Sequence, residues 1–148
     1  MIQYLIPVIA FSGLFIGKLI AYLSKDELKS GEPYFYIAKK LVLFLIFIVL
    51  ALNLDFNWIS SLILILGLVL GFYLKLPYTY LSLALLTDLN SIILSTLIFI
   101  YGLIYATSEK SYIKEALTFF IPFSLLLTPI YPYFHSFAIG SIVSLIFL

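Results

Sequence analysis

Residues 78–107 read YTYLSLALLTDLNSIILSTLIFIYGLIYAT, and how this apolar run divides decides the fold. A helix needs about 20 apolar residues to cross roughly 30 Å of hydrocarbon. Thirty residues are too many for one untilted crossing and too few for two full ones. Asp88-Leu89-Asn90 interrupts the run. Read as one element it is a long tilted helix, and read as two it gives a pair of thin crossings. Read as a broken or re-entrant element near residues 78–90, its first part is a half-helix of about 15 Å, at ~1.5 Å per residue. Irregular backbone at such depth persists only when buried in protein or beside a wet cavity.

Charge placement favours the broken reading. Lysines in short loops stay on the cytoplasmic side. With a turn at residues 88–90 and the N-terminus outside, the turns carrying Lys25, Lys29, Lys39 and Lys40, then Lys75, then Lys110 and Lys114 all face the cytoplasm. Lys18 falls near the same side. A single long helix would place Lys110 and Lys114 outside.

Working outward, residues 2–23 form a first apolar span. They lack a basic leader and a small-x-small cleavage site, so they read as a mature helix and not a signal peptide. Ser24-Lys-Asp-Glu27 resembles a capping box, Gly31 suits a helix stop and Pro33 the first turn of a following helix, which predicts a polar turn of about ten residues. Lys25-Asp26-Glu27-Leu28 spells a retention signal that is read only at a C-terminus. A second span is expected over 36–54, closed by Asp55-Phe56-Asn57, and a third over 58–74, opened by interfacial Trp58 and ended by Lys75-Leu76-Pro77. Beyond the central run come a polar turn over 108–115, a span over 116–134 interrupted by Pro122, Pro129 and Pro132, and a short apolar tail over 137–148.

The expected fold is all-α: a polytopic transmembrane helix bundle of about six short spans, forming a single integral membrane domain over 1–148 in the cell membrane. Pro33-Tyr-Phe-Tyr36 resembles Pro77-Tyr-Thr-Tyr80, and Asp55-Phe-Asn57 resembles Asp88-Leu-Asn90, which suggests helical-hairpin repeats over 33–75 and 77–110.

Composition supports a lipid setting. The chain is 64% hydrophobic and 10% charged, against about a quarter charged in soluble domains. It has no cysteine, so disulfides, thiolate metal ligands and thiol nucleophiles are excluded. All eight basic residues are lysine. Without arginine, two-pronged recognition of phosphate is missing, and no nucleic-acid partner is expected.

The candidate site is Asp88 with Asn90, because a carboxylate at the bilayer centre costs roughly 2.5–3.5 kcal/mol and is seldom kept without a partner. Such a pair could bind a cation or relay a proton; an interfacial turn with Asn90 capping the next helix is the alternative. Lys18 could pair with Asp88 or bind an anionic headgroup, or its ammonium could reach the interface along its stem. His135, alone in Tyr131-Pro-Tyr-Phe-His135, reads as part of an interfacial aromatic turn, and the tyrosine clusters read as interfacial belts. Gly13/Gly17 and Gly67/Gly71, with Gly102, allow close helix approach, either within the chain or in a homo-oligomer.

No catalytic motif, metal-ligand set or cofactor motif is present. Three functional readings follow. The first is a transporter or permease-like protein moving a small solute or ion through a site at Asp88/Asn90. The second is a non-catalytic subunit or assembly factor of a larger membrane complex, and the third a membrane-embedded lipid-modifying enzyme, disfavoured by the lack of paired carboxylates. The lipid bilayer is the expected partner, with a second copy or another membrane subunit beside it.

Overall fold

The computed structural model describes residues 2–54, 57–87, 91–107, 112–122 and 133–148, with the side chains of 2–4, 25–30 and 112 left aside. Among these residues the regular structure is helical throughout: α1 (Ile2–Leu23), α2 (Lys25–Ala51), α3 (Trp58–Leu74), α4 (Pro77–Thr87), α5 (Ile92–Tyr105), α6 (Tyr112–Phe120) and α7 (Phe134–Phe147). Over Leu5–Leu23 and Gly31–Ala51, α1 and α2 are long and apolar enough to cross a membrane. Helices α3, α5 and α7 are apolar but shorter.

The junction after α1 departs from the sequence reading. There is no ten-residue turn: α2 begins at Lys25 and runs for 27 residues with Pro33 inside it. Ser24 takes φ −115° and makes no side-chain capping bond, so the expected capping box does not form there. Proline removes one backbone donor, and Pro33 stands at an exposed position of α2. Gly31 is likewise helical, with the Phe35 ring over it.

The later boundaries follow local chemistry. Lys75 caps α3 in the left-handed conformation, at φ 48° and ψ 48°, and its N–H donates to Gly71 O at 3.3 Å. Pro77 then opens α4, where its missing donor would be unpaired in any case. The apolar run is divided, since α4 ends at Thr87 and α5 starts at Ile92. Ser91 caps α5 by accepting from Leu94 N at 3.2 Å, the role the sequence suggested for Asn90. Helix α6 begins at Tyr112 and α7 at Phe134, each three or four residues ahead of the expected start.

Two parallel helix pairs form the frame. On α1, Gly13 faces Phe99 and Gly17 faces Leu103 and Ala106 of α5, so the contact advances along both helices in the same direction. On α3, Gly67 faces Phe137 and Gly71 faces Ser141 and Ser144 of α7, again in parallel. These are the two most extensive helix contacts. Side chains beyond hydrogen would collide with the opposing backbone, so glycine sets the approach.

Helix α2 packs across α5 and α7. It runs antiparallel to both, because Lys39 at its middle lies over Tyr105 at the end of α5, and Leu50 at its end meets His135 at the start of α7. Short α4 occupies the interior against α7 and α6, with all its residues buried except Thr79 and Thr87. A helix apolar on every side is stable only when surrounded. The outward faces of the frame carry exposed Leu5, Ile9, Phe15 and Leu19 on α1, Phe44 and Ile48 on α2, and Leu62 and Leu66 on α3.

Candidate functional site

Helix α4 brings polar atoms into an otherwise apolar interior. Its first turn places Tyr78 among rings from four neighbours, with centroids at 5.8 Å to Phe11 of α1, 6.0 Å and 5.2 Å to Tyr101 and Tyr105 of α5, and 6.1 Å to Phe119 of α6. Most of these contacts are edge-to-face, the arrangement that ring quadrupoles prefer. Tyr80, on the opposite side of α4, donates to Leu70 O of α3 at 3.3 Å.

Beside this cluster lies a buried carboxylate. Glu115 of α6 is 7% exposed, and Tyr105 Oη donates to its Oε1 at 3.3 Å. Its place in the first turn of α6 is favourable for an acid, since the unsatisfied N–H groups of a helix start attract negative charge. Lys39 Nζ sits 5.5 Å from the centroid of the Tyr105 ring, within cation–π range, and 5.9 Å from that of Tyr36. Acid, phenol and ammonium are thus arranged around one tyrosine.

A second polar junction lies at the far end of α4. His135 Nδ1 is 3.1 Å from Thr87 Oγ1, and its Nε2 is 3.0 Å from Leu50 O, so one imidazole joins α7, α4 and α2. Thr87 Oγ1 also donates to Ala84 O at 2.6 Å. A hydroxyl has one hydrogen and a carbonyl has none. With Thr87 donating to Ala84, its oxygen can accept from Nδ1; with its hydrogen turned to Nδ1, it releases Ala84 O. At His135 the side chain thus forms a three-helix junction.

Of the residues singled out in the sequence, Asp88 and Asn90 lie outside the described residues. Lys18 is half-buried on α1, next to the Gly17 contact. Gly13, Gly17, Gly67, Gly71 and Gly102 all face other helices of the same chain. Among the described residues no three His, Asp or Glu side chains gather as a metal site would require.

Glu115 and His135 are the functional candidates that sequence reasoning passed over. The first was assigned to a polar turn, although its four-residue spacing from buried Phe119 puts both on one helix face. The partners of His135 are 48 and 85 residues away in the chain, so no local pattern signals them.

No protein-family model, curated protein or solved structure gave a match to this chain.

Proposed function

We propose that this chain is a multi-span membrane protein of the transporter class, moving a small solute or ion through a polar core built on Glu115, Tyr105 and the buried half-helix α4. The observation that carries the reading is the Glu115 carboxylate, buried and hydrogen-bonded by Tyr105 within a ring of tyrosines. An ionisable group inside a membrane bundle is expensive to keep there and marks a transport or relay site by default. Interrupted helices that do not complete a crossing are a recurrent way of building such sites.

Lipid contact accounts for the exposed apolar faces of α1, α2 and α3, which water would not favour. The helix directions put Lys39, Lys40 and Lys75 at one end of the bundle, and the positive-inside rule makes that end cytoplasmic.

Reconstitution of the purified chain in liposomes tests the proposal. Protein-dependent flux of at least one member of a panel of small ions and metabolites is expected, with strong loss in Glu115→Gln. Absence of any protein-dependent flux across the panel overturns it.

A further inference from the structure

Three hydroxyls of α4, Tyr78 Oη, Thr79 Oγ1 and Ser82 Oγ, are buried and have no hydrogen-bond partner. Tyr78 and Ser82 are fully buried as whole residues. Leaving one such group unsatisfied costs about 1–3 kcal/mol. Native interiors hold few of them, and an unplaced water or ion is a usual reason. Three on one 11-residue helix call for a common explanation.

Their spacing supplies one. Tyr78 and Ser82 are four residues apart and Thr79 and Ser82 three, so the oxygens follow one side of α4. Opposite Tyr78, α5 carries Gly102, and Tyr78 Oη lies 3.3 Å from where a Cβ would stand. At one end of this track is the Tyr105–Glu115 pair, whereas Thr87, nine residues on from Tyr78, lies on the opposite side of α4 with His135. The rise from Tyr78 to Ser82 is about 6 Å.

We propose that α4 lines a hydrated proton path leading to Glu115 through Ser82, Thr79, Tyr78 and Tyr105. It rests on the transporter reading and names the proton as the ion moved. The tyrosine rings stand 5.2–6.0 Å apart and in mutual contact, which leaves no room for a solute of several atoms. Hydroxyls and single waters need only small spaces. Each hydroxyl takes a proton on its oxygen and passes its own hydrogen onward, so one proton moves and no bond to carbon changes.

Glu115 is the group that can hold the proton. Glu115 faces Tyr105, with Tyr78 and Tyr101 beside that ring and the Lys39 ammonium over it.

The test is proton entry into phosphatidylcholine vesicles holding the full chain and a trapped pH dye, driven by a potassium diffusion potential set with valinomycin. Tyr78→Phe and Ser82→Ala each remove one oxygen and preserve packing, and each is expected to lower the flux at least about tenfold. Thr96→Ala, whose exposed hydroxyl bonds only within α5, is the control and leaves flux unchanged. Unfolding in detergent gives a second reading: a dry orphan hydroxyl makes Ser82→Ala more stable, whereas a hydrated one does not. Proton flux equal to the control, or a more stable Ser82→Ala, overturns the inference. Flux of another solute without protons overturns it and leaves the transporter reading standing, while absence of all flux removes both.

Discussion

The Nε2 atom of His135 lies 3.0 Å from the carbonyl oxygen of Leu50, 85 residues earlier in the chain. The carbonyl belongs to the last turn of α2, where backbone acceptors lack helical partners and a donor is most useful. One side chain therefore finishes α2, begins α7 and, through Thr87, fixes the end of α4.

Replacing His135 by alanine should loosen that junction. Leu50 O keeps a bond from Asn53 N at 3.1 Å, so the loss is moderate. We expect about 1–2 kcal/mol of destabilisation, read by denaturation in detergent. His135→Gln, which can still donate once, should fall between wild type and alanine. Equal stability of all three proteins would show that the junction contributes nothing.

The glycines offer a paired comparison. A methyl group at Gly67 would strike Phe137 O, and one at Gly140 would strike Leu64 O, both backbone atoms that cannot swing aside. Either alanine substitution should separate α3 from α7 and destabilise by about 2 kcal/mol or more. Gly31→Ala meets only the edge of the Phe35 ring, and its better helix propensity, worth up to about 1 kcal/mol, should leave stability unchanged or raised. Thermal unfolding of the three variants side by side checks the contrast, and equal losses would argue against the close parallel pairing.

Tyr105 and Glu115 should be energetically coupled. Tyr105→Phe removes the donor to Oε1, and Glu115→Gln keeps an acceptor but discards the charge. A double-mutant cycle on unfolding should give about 1 kcal/mol of coupling. Additive losses would mean the two groups do not interact.

Orientation can be tested by single cysteines, because the native chain has none. In sealed vesicles, Lys40→Cys and Lys75→Cys should react with an impermeant thiol reagent from one face and Trp58→Cys from the opposite face. Labelling of positions 40 and 75 from opposite faces would undo the topology on which the proposed path depends.

Much of this architecture is legible in short-range chemistry. The stop at Lys75-Leu76-Pro77 and the interruption between Thr87 and Ile92 follow from turn residues and from a run too long for one crossing. Local signals mislead where they compete with continuity: Gly31 and Pro33 look like punctuation, yet α2 passes through both because only one backbone bond is forfeited, at an exposed position. The polar interior is less legible. Glu115 sits in a stretch whose charges read as a surface turn, and the neighbours of Tyr78 come from α1, α5 and α6, which sequence order alone does not bring together.

The parallel pairing of α3 with α7 also governs how the protein is made. Gly67 and its bonded partner Ser141 are separated by 74 residues. At ribosomal speeds of about 5–20 residues per second, α3 emerges roughly 4 to 15 seconds before the helix that covers it. During that interval its glycine groove is open, so a nascent chain halted between the two helices carries a bare surface by which an incomplete translation product can be recognised.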